Sequence, residues 1–146
     1  MAEDAISSEV VLKVANTSGA ANENVTFAFN LALLDALPQH EFSTTTIWTE
    51  DLNTFSGVLL KDLIELTGFQ GESVTAWAIN DYMAEFTVGS LAFNTALIAT
   101  RQNGDTMHPR DKGPLWIVFP YSDGPQFQTE AIFAQSVWQL NRLDVE

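Results

Sequence analysis

The sequence predicts an α+β domain with a mostly antiparallel or mixed sheet and a few short helices. Three observations indicate this class. Short runs rich in β-branched and aromatic residues recur along the chain, turn-forming residues separate them, and a single segment has a strong helical period. A length of 146 residues suits one domain, so we predict a single domain over residues 1–146, with residues 1–8 flexible.

The first elements are predicted to be a hairpin and a short helix. Residues 10–15 are rich in β-branched side chains, the turn-forming run NTSGAANEN follows, and a second alternating run begins at Val25. The leucines of LALLDALPQH then have helical spacing, and Pro38 is expected to end that helix.

The middle of the chain is predicted to hold a strand, a loop and the main helix. Residues 41–48, EFSTTTIW, are dominated by β-branched residues, which favours a strand, and TEDLNTFSG is predicted to be a loop. From Gly57 the run VLLKDLIELTG places five leucine and isoleucine side chains on one helical face, with Gly68 as the C-terminal stop.

The second half of the chain is predicted to be mainly strands. SVTAWAIN and MAEFTV form two strands joined at NDY, and TALIATRQ and LWIVFPYS form two more joined across residues 101–116. The last segment is predicted to begin as a short helix at Thr129 and to end as a strand in VWQLNRLDV.

The composition excludes several classes of function. A net charge of −13 repels nucleic acids and anionic lipid surfaces, so we predict neither as a partner. The chain has no cysteine, which excludes thiolate catalysis, zinc bound by sulfur, iron–sulfur clusters and disulfides. No apolar run approaches the ~20 residues that span a bilayer, so direct membrane insertion is not expected. Soluble ligands and protein partners remain.

Positive charge is concentrated in one segment of this acidic chain. Of six Lys and Arg residues, Arg101, Arg110 and Lys112 fall within residues 101–116, together with His108. Such a cluster predicts a positive patch that attracts an anion or orients a carbonyl group of a ligand. The alternative is a solvated loop in which Asn-Gly forms a tight turn and the charges keep the loop soluble.

The order of four motifs resembles a known family. STTTIW, FSGVLLKDLI, INDY and ATRQNGDTMHPRDKGPLWIVFPY follow one another as in the molybdopterin-binding domain of the sulfite oxidase superfamily, over residues 25–121. The resemblance implies that fold. Because the chain is short, it is similar to small, exported members that bind a pterin and work beside membrane-bound enzymes that make and degrade cyclic di-GMP.

One departure from the family affects the predicted chemistry. The enzymes bind molybdenum through a cysteine near the end of the strand that corresponds to STTTIW, and this chain has Thr45, Thr46 or Trp48 there. A hydroxyl or an indole does not replace a soft thiolate. We therefore expect a pterin as a ligand, without molybdenum, without a metal ligand and without a catalytic residue.

A pterin site requires aromatic walls, an acceptor for the ring's donor pair, and a donor for its carbonyl. Trp48 and Trp116 are candidate walls, although each could instead fill the core. Asp81 and Asp111 are candidate acceptors. The alternatives are that Asp81 serves only the NDY turn and that Asp111 only pairs with Arg110 or Lys112 at the surface. The predicted ligand-binding residues are Trp48, Asn80, Asp81, Tyr82, Arg101, His108, Arg110, Asp111 and Trp116.

Three functions follow from these predictions. The first is a non-catalytic pterin sensor whose partner is the periplasmic sensor domain of a membrane-bound cyclic di-GMP enzyme. The resemblance implies a periplasmic location for it, and the polar start MAEDAISS fits the end left by removal of a signal peptide, though it fits a cytosolic start equally. The second is a molybdopterin-dependent oxidoreductase with a non-cysteine metal environment. The third is a structural domain that has lost every ligand and has Trp48 and Trp116 packed inward.

Overall fold

The computed structural model describes residues 9–17 and 25–146 and confirms the α+β class. The residues predicted to be flexible, 1–8, lie outside this part of the chain. The strands are β1 Val10–Asn16, β2 Thr26–Asn30, β3 His40–Thr44, β4 Asn53–Leu59, β5 Ser73–Ala78, β6 Met83–Thr87, β7 Leu97–Gln102, β8 Asp105–Thr106, β9 Trp116–Val118 and β10 Leu140–Val145. The helices are α1 Leu31–Asp35, α2 Leu60–Thr67, α3 Leu91–Thr95 and α4 Glu130–Gln135.

The first sheet has the strand order β2-β1-β10-β5-β6. The predicted hairpin of β1 and β2 is confirmed, and the hairpin of β5 and β6 closes at the NDY turn as expected. The strands β1 and β10 are parallel, whereas the other neighbours are antiparallel. This sheet is therefore mixed, with the late strand β10 between the early strands.

The second sheet has the order β3-β4-β7-β8, and β9 also pairs with β7. All of its pairs are antiparallel. A bridge between Trp116 and Trp138, and a hydrogen bond of 2.8 Å from the Ile117 amide to the Val137 carbonyl, tie β9 to the segment before β10. The two sheets are therefore connected next to these tryptophans.

The core is apolar and rich in aromatic rings. Trp116, Phe55, Phe86 and Phe119 are fully buried, together with leucines and isoleucines from both sheets and from α2. Burial of this apolar surface is the main stabilising term in a chain without disulfides. No helix in the described residues is both long enough and apolar enough to cross a membrane.

Strand β4 was not predicted, and the loop predicted for residues 49–57 is wrong from Asn53 onward. The run that was read as the start of the main helix, from Gly57 to Leu59, ends β4 instead, and α2 begins at Leu60. Gly57 packs against the backbone of β7, where an added Cβ would collide with the Ile98 carbonyl oxygen. The predicted stop of the helix at Gly68 is confirmed by its left-handed conformation, with φ of 75°.

Other parts of the chain also differ from the prediction. The predicted strand over residues 41–48 ends at Thr44, because the Thr46 hydroxyl accepts hydrogen bonds from two following amides and turns the chain. The helix α1 ends at Asp35, before Pro38, and α3 was not predicted. The helix predicted at Thr129 is confirmed as α4. The Thr129 hydroxyl accepts a hydrogen bond from the Ile132 amide and so caps the first turn of this helix.

Candidate functional site

Trp48 lies at the centre of a cluster of aromatic rings. Its ring centroid is 5.7 Å from that of Trp138, 5.8 Å from Phe133, and 6.0 Å from both Trp116 and Tyr121. The planes meet at 69 to 87°, which is the edge-to-face geometry favoured by aromatic quadrupoles. We call these five residues the Trp48 cluster.

A cavity of about 410 Å³ opens beside this cluster, and we call it the Trp48 cavity. Its volume lies within the range of roughly 300–1,000 Å³ that is common for small-molecule sites. The lining is mostly apolar and aromatic, with a few polar groups. The lining residues are Ile47, Trp48, Ala78, Asn80, Tyr82, Phe133, Ala134, Ser136, Val137 and Trp138.

The loop that carries Trp48 is held in place by Asn53, which is buried at the start of β4. The Asn53 side-chain amide donates to the Thr49 hydroxyl at 3.2 Å and to two carbonyls of the same loop. Its oxygen accepts from Gln102 at 3.1 Å and from Asn103 at 2.9 Å. These bonds fix the Trp48 loop against the end of β7, so the indole wall is pre-positioned.

A second set of hydrogen bonds positions Ser136, which also lines the cavity. The Tyr121 and Ser136 hydroxyls are 2.6 Å apart, and Ser136 donates to the Ile132 carbonyl at 2.8 Å. Burial raises the pKa of the Tyr121 phenol well above its ordinary value, so Tyr121 stays uncharged. Tyr121 therefore packs behind the cavity, where its hydroxyl helps to position Ser136, which is one of the lining residues.

The NDY turn contributes two of its three residues to the Trp48 cavity. Asn80 accepts a hydrogen bond from the Tyr82 amide at 3.2 Å, and the Tyr82 phenol donates to the Ala134 carbonyl at 2.5 Å. Asp81 has φ of 71° and its amide donates to the Ala78 carbonyl, which is the turn role anticipated for it. Asp81 lines a separate hollow, outside the Trp48 cavity.

A second, more polar hollow of about 290 Å³ is also lined by Trp48. It brings together three neighbours from the segment singled out for its charge, His108, Asp111 and Lys112. We call it the polar hollow. Its lining residues are Trp48, Thr49, Gln102, Asp105, Thr106, Met107, His108, Asp111 and Lys112.

Lys112 is held between two indoles of the Trp48 cluster. Its ammonium nitrogen is 5.2 Å from the ring centroid of Trp138 and 5.6 Å from that of Trp116. The Asp111 carboxylate is 3.8 Å away, and the Lys112 side chain is only 23% exposed. This cation therefore belongs to the aromatic wall as well as to the polar hollow.

The other two cations of the predicted patch lie elsewhere. Arg101 donates to Asp35 at 2.9 Å and does not line the polar hollow, whereas its neighbour Gln102 does. Arg110 is exposed, and its backbone amide donates to His108 Nδ1 at 3.0 Å. Asn103 and Gly104 both have positive φ between β7 and β8, so the tight turn expected at Asn-Gly is present.

The two tryptophans predicted as walls have different surroundings. Trp48 is half-buried and faces both hollows, whereas Trp116 is fully buried and packs its ring 5.3 Å from Phe55. The Trp116 indole nitrogen has no hydrogen-bond partner in the described part of the chain. Trp116 therefore lies behind Trp48, and the exposed wall is Trp138.

Sequence reasoning missed Trp138, Phe133 and Asn53, which complete the site. Trp138 was read only as part of a terminal strand, and nothing local in VWQLNRLDV indicates that its ring meets Trp48. Within residues 9–17 and 25–146, no group of three or more His, Cys, Asp or Glu side chains has an arrangement that could hold a metal ion.

No protein-family model matches the chain, and no curated protein matches its sequence. Solved structures do match, among them the sulfane dehydrogenase SoxCD from Paracoccus pantotrophus, with a TM-score of 0.66 and 16% sequence identity. The match covers 92% of this chain and 37% of that one. At this identity the likeness concerns the fold alone, and it confirms the predicted one: the chain has the sulfite oxidase-like molybdopterin-binding fold.

Proposed function

We propose that the protein binds a pterin, or a similarly flat bicyclic ring, in the Trp48 cavity as a ligand and not as a redox cofactor. The main support for this proposal is the cavity of about 410 Å³ that opens beside the rings of the Trp48 cluster. Trp48, Trp138 and Phe133 present aromatic surface to that cavity, and such surfaces stack on flat heterocycles. A structural domain that had lost its ligand would have this space filled.

The polar groups of the cavity suit the edge of a pterin. The oxygen of Asn80 is used by the Tyr82 amide, but its NH₂ group has no hydrogen-bond partner among the described residues and can donate to a ring carbonyl. The Tyr82 oxygen donates to Ala134 and retains acceptor capacity for a ring amino group. In this proposal the edge of the ring is recognised by Asn80 and Tyr82, and not by Asp81, which lies outside the Trp48 cavity.

The residues at the end of β3 do not fit molybdenum held through a thiolate. The Thr45 and Ser122 hydroxyls are 3.0 Å apart, and Thr44 donates to the same Ser122 oxygen at 3.0 Å. These oxygens are hard donors that already satisfy one another, and the chain has no cysteine. These residues therefore do not favour the oxidoreductase alternative.

We further propose that the bound ring regulates a partner protein. The Trp48 cavity is built from three separate segments: the loop after β3, the end of β5 with the NDY turn, and the end of α4 with the residues that follow it. A ligand that contacts all three favours one arrangement of them, and a partner that prefers this arrangement responds to the ligand. A periplasmic location and a cyclic di-GMP enzyme as partner rest on the family resemblance.

Titration with unsubstituted pterin, followed by calorimetry and by tryptophan fluorescence, tests the binding site. Trp138→Phe should weaken binding about tenfold, since the exposed indole wall is reduced. Trp77→Phe is the matched control, because Trp77 lies outside the Trp48 cavity and donates to Asp144 at 3.0 Å. The control variant should bind as tightly as the unaltered protein.

Two results would contradict the proposal. Equal pterin affinity in the Trp138→Phe and Trp77→Phe variants would remove the proposed site. Molybdenum at one atom per chain in the purified protein, measured by elemental analysis, would show that the ring serves as a metal cofactor and not only as a ligand.

A further inference from the structure

A third hollow lies on the surface between the end of α1 and the helix α2, with a volume of about 590 Å³. We call it the α2 groove. It shares no lining residue with the Trp48 cavity or the polar hollow. The lining residues are Leu37, Pro38, Val58, Asp62, Glu65 and Leu66.

The groove combines an apolar floor with an acidic rim on one helix face. Asp62, Glu65 and Leu66 are spaced i, i+3 and i+4 in α2, so they are neighbours on the helix surface. Leu66 is 55% exposed, whereas the leucines and isoleucine of the opposite face are buried in the core. An exposed leucine beside two carboxylates contributes little to the core and is available to a partner.

The acidic rim is incompletely neutralised by the chain itself. The Glu65 carboxylate has no ion-pair partner in the described part of the chain, and Asp62 lies 3.4 Å from His40, which is cationic only when protonated. Lys61 lies one helical turn before Glu65 in α2, but no ion pair joins the two side chains in the described part of the chain. The groove thus presents negative charge around apolar surface.

We propose that the α2 groove docks a protein segment that carries both apolar and basic side chains, such as an amphipathic helix rich in leucine and lysine. An apolar side chain of the segment would pack on Leu37, Val58 and Leu66, and a lysine or arginine would pair with Glu65. Charge complementarity identifies the partner, since an acidic or neutral segment would leave this rim unpaired. The inference goes beyond the proposed ligand site and does not depend on it.

Synthetic amphipathic peptides test the proposal directly. A leucine–lysine helix should bind and shift the amide NMR signals of Leu37, Val58 and Leu66, whereas a leucine–glutamate helix of the same length should not. Glu65→Lys should weaken the leucine–lysine peptide about tenfold. Glu85→Lys is the matched control, since Glu85 is an exposed residue of β6 and the change in charge is identical.

Leu66→Ser gives a second, independent measurement. It removes the apolar contact but keeps the charge, so it should weaken the leucine–lysine peptide and leave a serine–lysine peptide unaffected. Equal losses in Glu65→Lys and Glu85→Lys would overturn the proposal, because they would indicate general attraction to an acidic protein. Binding of unsubstituted pterin should be unchanged in all these variants, so failure of the groove is distinguishable from failure of the Trp48 cavity.

Discussion

The indole rings of Trp48 and Trp138 meet edge to face, with centroids 5.7 Å apart and planes at 72°. Trp48 lies in the loop between β3 and β4 of the second sheet, and Trp138 lies just before β10 of the first sheet. This contact therefore joins the two sheets at the wall of the candidate site, and the shape of the cavity depends on how the sheets pack.

Trp48→Ala is expected to destabilise the protein as well as to weaken pterin binding. Removal of the ring leaves four aromatic neighbours without their shared contact, at a cost of about 3 kcal/mol in the free energy of unfolding. Urea denaturation measures this loss. Trp48→Phe should recover more than half of it, and a loss equal to that of the alanine variant would contradict the packing role.

Asn53→Ala is expected to loosen the loop that positions Trp48. The change leaves polar groups of Gln102 and Asn103 without their partner, and it should lower the free energy of unfolding by about 2 kcal/mol. Pterin affinity should fall together with stability. Asn141→Ala is the control at an exposed position, and equal effects of the two changes in calorimetry and urea denaturation would be contrary to the expectation.

Tyr121→Phe is expected to change how stability depends on alkaline pH. The folded pKa of this phenol is raised by burial above the ordinary 10.0, so as pH rises through 10.0 the unfolded chain loses the proton first. The stabilising contribution of the uncharged phenol is thus fully present below that pH and is lost above it.

At neutral pH the Tyr121→Phe variant should be less stable by about 1 kcal/mol, because the hydrogen bond to Ser136 is absent. Above pH 10.0 the unaltered protein should lose this advantage, so the two unfolding curves converge. Urea denaturation across neutral and alkaline pH measures the difference. A gap that stays constant would show that Tyr121 is not sufficiently buried to be perturbed.

Lys112→Met is expected to weaken the packing of Trp138. The ammonium lies 5.2 Å from the Trp138 centroid, and its removal at a partly buried site should cost about 1 kcal/mol of unfolding free energy. Lys112→Arg should retain most of the stability, since a guanidinium also stacks on indoles. Thermal and urea unfolding of the two variants should therefore differ, and identical losses would argue against the cation–π contact.

The parts of the fold that were predictable are those determined by local chemistry. The β1–β2 hairpin, the left-handed stop at Gly68 and the turn at Asp81 follow from nearby turn and helix signals. Strand β4 was missed because its last residues, Gly57–Leu59, continue the spacing of apolar residues in α2. These residues therefore fit a helical pattern as well as a strand pattern. Their assignment depends on the close approach of β7, which lies about 40 residues further along the chain.

The candidate site was only half predictable for a related reason. Trp48, Asn80 and Tyr82 were found because their motifs are local, whereas Trp138 comes from a segment 90 residues after Trp48 and has no local signal. The prediction of a cation patch did not consider that successive side chains of a strand point to opposite faces of the sheet. Arg101 and Gln102 are adjacent in β7 and point to opposite faces, so only one of them reaches the polar hollow.

The position of β10 between β1 and β5 has a consequence for biosynthesis. Thr17, at the end of β1, donates to the Val145 carbonyl, 128 residues later. While the ribosome is still translating residues before 140, β1 and β5 have exposed edges and no central neighbour. We therefore expect chains in which β10 is missing or unpaired to aggregate through these edges more readily than the folded protein does.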